Sequence, residues 1–228
     1  MLLIAIDTSG RIGSVALCRG DAETFETLQL ATLDGGNYSE RLISTISGLL
    51  AENKLDKSAI DAFVAVSGPG SFTGLRVALA TVKGLCEALG KPLVTVSMLE
   101  AMVVTHGRDG DATAVLNAGR GEIYVGEYRV TAENAELLRG YITKLAEFRT
   151  AHGVLLTSDD AVASALRSAG QDVALVEPVR ADAIGRIGLR KLLTGEVADA
   201  ATVDVDYMRR SDAELFHRPR RRPPHPDR

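Results

Sequence analysis

A chain of 228 residues, 46% hydrophobic and 25% charged, is globular in composition and suits one large domain or two small ones. An aromatic share of 4% with no Trp leaves the core to Ala, Val, Ile and Leu, which favours layers of helix on sheet. The net charge of −4 hides an asymmetry: from Arg209 onward seven Arg face Asp212, Glu214 and Asp227, whereas in the preceding body 19 basic residues face 27 acidic ones. Electrostatic attraction for nucleic acid therefore belongs to the tail and not to the body.

The opening MLLIAIDTSG has no basic leader, and Asp7 interrupts its apolar run well short of a membrane span, so a cytoplasmic protein without membrane contact is expected. Residues 2–6, 12–18 and 24–30 read as a meander of three strands separated by turns at Ser9-Gly10 and Gly20-Asp21. Leu42, Ile43, Ile46, Leu49 and Leu50 then mark one face of a helix over 38–52. Ala62–Val66 is short, apolar and β-branched at alternate positions, the pattern of a strand buried on both faces. A glycine-rich turn, Ser67-Gly68-Pro69-Gly70-Ser71-Phe72-Thr73-Gly74, leads into a helix over 71–89 that Gly90 ends, and Pro92–Val96 closes the unit as a strand.

That long helix carries two different stripes. Leu75, Leu79, Val82, Cys86 and Leu89 are bulky enough to sit on the sheet, whereas Val77, Thr81, Gly84 and Ala88 would let another helix backbone come close, either within the chain or from a partner. From about residue 101 the pattern begins again, with strands at 112–117 and 122–130 and helices near 159–169 and 181–194. The organisation expected is an N-terminal α/β lobe over 1–100, a C-terminal α/β lobe over 101–216 and a disordered Arg/Pro tail over 217–228.

A strand running through glycines into a helix can cradle phosphate on free N–H groups. Here, however, Gly74 is followed by Leu75-Arg76, so the lysine of a P-loop is missing, and the glycines miss the dinucleotide spacing by one residue. Ser71 lacks the flanking glycines of a nucleophile elbow and reads as a helix N-cap. Cys18 and Cys86 read as reduced core residues, and with no paired His or Cys at ligand spacing no metal site is expected. Asp7-Thr8-Ser9 and Asn117-Ala118-Gly119 stand at strand ends, one per lobe, as in two-lobed phosphotransferases, but Asn117 cannot supply the second carboxylate that a Mg²⁺ site draws on.

The segments AIDTS (5–9), SGPGSFTGLRVA (67–78), VSMLEAM (96–102), NAGRGEIYVGEY (117–128) and DYMRRSDAE (206–214) together resemble the TsaB (YeaZ) family, dimerisation subunits of the bacterial machinery that makes threonylcarbamoyladenosine on transfer RNA. The likeness covers nearly the whole body and is most specific at GPGSFTGLR. It implies the two-lobed α/β fold of actin, Hsp70 and sugar kinases (the ASKHA, ribonuclease H-like fold). It also implies a non-catalytic subunit with no cofactor, which binds and supports the transferase TsaD, has TsaE as a further partner and meets tRNA only through the complex.

Under that resemblance the partner-binding residues are Leu42, Ile46, Leu49, Ser71, Phe72, Thr73, Leu75, Arg76, Val77, Thr81 and Gly84. Asp7, Thr8, Ser9, Gly68, Gly70 and Asn117 form a vestigial nucleotide site. Two departures from the family's habit, Tyr38 where His is common and Asn117 where Asp is common, weigh further against nucleotide or metal binding. An active phosphotransferase or glycoprotease-like hydrolase of the same fold, and a homodimeric interaction module using the same helices, stay open as alternatives.

Overall fold

The computed structural model describes residues 1–34, 38–131, 134–149 and 153–205. The Arg/Pro tail and the DYMRRSDAE segment lie outside these described residues. The first half runs β1 (Leu2–Asp7), β2 (Ile12–Gly20), β3 (Phe25–Asp34), α1 (Tyr38–Glu52), β4 (Ala62–Gly68), α2 (Phe72–Leu89), β5 (Leu93–Ser97) and α3 (Met98–His106). The second runs β6 (Gly110–Gly119), β7 (Glu122–Thr131), β8 (Asn134–Lys144), β9 (Val154–Thr157), α4 (Asp160–Ser168), β10 (Val173–Leu175) and α5 (Ala181–Leu193). Among the described residues no helix is long and apolar enough to cross a membrane.

Both sheets have one topology. The first is ordered β3-β2-β1-β4-β5 and the second β8-β7-β6-β9-β10, each an antiparallel meander continued by parallel strands. This duplicated unit is the expected two-lobed actin-like α/β fold. β1 lies at the centre of the first sheet between β2 and β4, and all six of its residues are buried, which is why its sequence is an unbroken apolar run. α1 and α2 cover one face of that sheet and touch each other. α2 starts where the Ser71 Oγ accepts the Gly74 N–H (3.3 Å) and stops where Gly90 turns to φ +64°, so both predicted caps are present.

The lobe boundary differs from the sequence expectation. The helix over 181–193, assigned to the second lobe, lies on β1, β2, β4 and β5 of the first sheet. Conversely α3, which follows the last strand of the first sheet, lies against β6, β7 and β8 of the second, so a boundary at residue 100 cuts through a helix. Each lobe thus lends its final helix to the other. α5 can approach so closely because it carries glycine where it crosses: a Cβ at Gly188 would fall on the Val64 side chain, and one at Gly185 would come within 2.9 Å of the Cys18 Sγ. Ser14 Oγ accepts the first N–H of α5 (2.9 Å), and the half-buried Lys191–Glu100 pair (2.9 Å) ties α5 to α3.

α3 itself was not legible as a helix, because it is wedged between the lobes and apolar nearly all round, with Met98, Leu99, Ala101, Met102 and Val103 all buried. After α5 the chain returns along β5, where Ala198 bridges to Leu93, and Lys83 on α2 donates to the Val203 carbonyl (2.8 Å).

Candidate functional site

Because β1 and β4 run parallel in one sheet and β6 and β9 in the other, the C-terminal ends of all four open on the same side of their sheets. The loops that leave these ends meet across a cleft between the lobes, where Asp7, Ser9, Gly70, Ser71, Asn117 and Asp159 line a cavity of about 650 Å³. Of the residues expected to form a vestigial nucleotide site, Asp7, Ser9, Gly70 and Asn117 share this cavity. Thr8 and Gly68 stand behind its wall, both buried.

The glycine turn is engaged from within. The Gly68–Pro69 peptide is cis, and the Ser71 N–H donates to the Ser9 carbonyl (2.7 Å). Thr8 Oγ1 donates to the Gly74 carbonyl (2.7 Å). A Cβ on Gly70 would lie 2.5 Å from the Ser9 Cβ, and one on Gly74 would fall on the Thr8 carbonyl. These glycines serve close approach of the β1–β2 turn to the start of α2. As a phosphate cradle, the reading its spacing suggests, the turn has already spent donors: those of Ser71 and Gly74 are held by Ser9 and by the Ser71 hydroxyl.

The acids of the cleft are likewise occupied. Asp7 is buried at 4% exposure, and its Oδ1 accepts the Ser9 N–H (2.8 Å). Burial pushes its carboxyl above the ordinary carboxylate range, against the lowering effect of the Ser9 hydrogen bonds. Tyr38 packs its ring over Gly13 and donates its hydroxyl to the Gly10 carbonyl (3.0 Å); burial, then the nearby Asp7, push the phenol upward too. Asn117 Oδ1 accepts the Gly119 N–H (2.8 Å), closing a turn on itself.

Sequence reasoning missed Asp159, which stands at the end of β9 on the same cavity. Its Oδ1 accepts the Val162 N–H (3.0 Å) and caps α4. The signal lies in the structure: the order of the two sheets makes β9 the counterpart of β4 and the Asp159 loop the counterpart of the glycine turn. Among the described residues no three His, Cys, Asp or Glu side chains cluster in a way that could hold a metal ion.

The predicted partner residues separate into two sets. Leu42, Ile46, Leu49 and Leu75 are at most 5% exposed and belong to the core, where they hold α1 and α2 on the sheet, so their side chains cannot meet a partner. This corrects the choice of the apolar stripe of α1 as a contact face: the stripe is needed inside. Ser71, Phe72, Thr73, Arg76 and Gly84 are exposed, and Val77 and Thr81 are half-buried beside them. The Arg76 guanidinium lies 3.9 Å over the Phe72 ring, and Ile43 of α1 is 47% exposed. Nothing described in the chain comes within 4 Å of a Cβ built on Gly84, so α2 is left uncovered at that position.

The family described as TsaD, tRNA N6-adenosine threonylcarbamoyltransferase, matches residues 33–171, more than half of the chain. The chain belongs to this family. Curated relatives of the family that resemble it include the tRNA threonylcarbamoyladenosine biosynthesis protein TsaB of Bacillus subtilis, 33% identical over 131 residues that make up 57% of this chain and 56% of the relative. TsaB of Escherichia coli is 31% identical over 132 residues, 57% of this chain and 55% of the relative. The chain thus spans about half the length of the curated relatives it matches. The solved structure of YeaZ from Pseudomonas aeruginosa superposes with a TM-score of 0.74 at 22% identity, over 90% of this chain and 99% of that one, and so shares the fold.

Proposed function

We propose that this chain is a non-catalytic subunit that docks, through the outer faces of α1 and α2, on a tRNA N6-adenosine threonylcarbamoyltransferase (TsaD) and supports its formation of threonylcarbamoyladenosine on tRNA. One contrast carries the reading: Thr8, Asp7 and Asp159 each make a hydrogen bond inside the chain that holds a turn or a helix start, whereas α2 at Gly84 is exposed. Membership of the transferase family and the TsaB name of the relatives support the process and the partner. In this reading TsaE is a further partner, tRNA is met through the assembled complex in the cytoplasm, and the chain needs no cofactor of its own. The same helical face can also serve a second copy of the chain in the absence of the transferase.

Phe72 with its stacked Arg76 supplies the aromatic and cationic anchor typical of an interface centre, and Gly84 lets a facing helix approach. The test is titration of the transferase with the wild-type chain and with Gly84→Arg. The variant should bind on the order of 100-fold more weakly, as a central interface clash does, while melting within a few degrees of wild type. Undiminished binding by both Gly84→Arg and Phe72→Ala removes the reading. So does ATP turnover by the chain alone that Asp7→Ala abolishes, since that outcome marks an active phosphotransferase.

A further inference from the structure

The second sheet ends in β8, an 11-residue strand bonded to β7 and, among the described residues, to no strand on its other side. Of the other edges, β10 has three residues, β5 is bridged by Ala198, and β3, ten residues long, has α1 against it, where the Gln29 amide donates to Glu52 and accepts from Asn53. A long edge offers a row of outward N–H and C=O groups to another strand. This one also exposes Leu137 at 56% and Leu138 at 44%, two of the larger apolar side chains left at the surface.

The register shows what such a strand would have to be. β8 pairs Arg139 with Glu127 and Leu137 with Tyr128, so Leu138 is the extra residue of a bulge. Ala135, Leu137 and Gly140 line a cavity of about 360 Å³ against Leu99 and Tyr128 on the α3 side of the sheet. On the opposite side Arg139 stacks over Tyr141 (4.5 Å), whose hydroxyl donates to Glu127 Oε1 (3.0 Å). By alternation from Leu137, Glu136 shares that side with Arg139.

We propose that β8 is a self-association edge, on which a second copy of this chain adds its own β8 antiparallel about a two-fold axis between Leu137 and Leu138. About that axis Glu136 of each copy stands opposite Arg139 of the other, and Leu137 opposite Leu138, with both ion pairs on one side of the joined sheet. A bulge and charges normally blunt an edge; here the axis passes through the bulge and makes the charges complementary. The surface belongs to the second sheet, so it leaves the α1–α2 face free and stands whether or not the docking reading above holds.

Sedimentation velocity over a concentration series tests this, with Gly84→Arg built into every chain so that association through α2 does not contribute. The parent should dimerise. Arg139→Glu and Glu136→Arg each place like charges at both crossings and should weaken the dimer roughly tenfold or more. Mixed together, the two variants again oppose unlike charges at both crossings and should form a heterodimer. Leu138→Lys, at an exposed position, should abolish the dimer even if a charge reversal disturbs folding. A parent that stays monomeric at every soluble concentration overturns the proposal, as does a dimer unaffected by Leu138→Lys or by both reversals.

Discussion

At Asp7 a carboxyl is held in a buried site with the Ser9 N–H on one oxygen. Its pKa is raised above 3.8 by burial, so the fold prefers the protonated group. The sign follows from linkage: its contribution to stability is full below the unfolded value and is lost as pH rises through the higher folded value. Asp7→Asn keeps an acceptor for Ser9 without the charge. It should therefore melt higher than wild type at neutral pH, with the gap closing as pH falls toward 4, as thermal scans across pH will show. Two glycines of one helix should respond oppositely to Ala. Gly74→Ala sets a methyl on the Thr8 carbonyl and should cost about 1–3 kcal/mol. Gly84→Ala meets open space in a helix interior and should add roughly 0.5–1 kcal/mol. Urea midpoints at constant m-value separate the two.

Among the elements, α2 depends on its first turn. Ser71→Ala removes the acceptor for the Gly74 N–H and should cost about 1 kcal/mol; amide exchange should rise first at the start of the helix. The elements whose residues face one core were legible from sequence: α1, α2 and β4 appear where expected, α2 with both its caps, although Ile43 of the expected α1 stripe is exposed. Those shaped by both lobes were not. α3 has no polar side to set a period, and β8 is half exposed with a bulge that breaks its alternation. The candidate site was legible to the same degree. Asp7, Gly70 and Asn117 meet as expected because strand ends in this topology converge, but Asp159 is visible only once β9 is matched to β4. Periodicity also located the stripe Leu42, Ile46 and Leu49 without saying that the core claims it.

In the whole molecule, the exchanged helices join what the topology divides. Buried Ala112, Ala114, Tyr128 and Leu156 of the second sheet share one apolar cluster with β1, β4, α3 and α5. Heating should therefore give one calorimetric transition whose van't Hoff and calorimetric enthalpies agree, with no separate melting of the lobes. Gly188→Leu, which drives a side chain into Val64, should lower that transition and split it, because it lifts α5 off the first sheet. The exchange also dictates how the polypeptide can be divided. A break after Gly107 leaves an N-terminal fragment whose first sheet lacks the helix that covers its far face, and a C-terminal fragment whose sheet lacks the helix of residues 98–106. Neither piece is a portable module, yet each carries the part the other needs, so the two are complementary halves of a split reporter that regains its shape only when they are brought together.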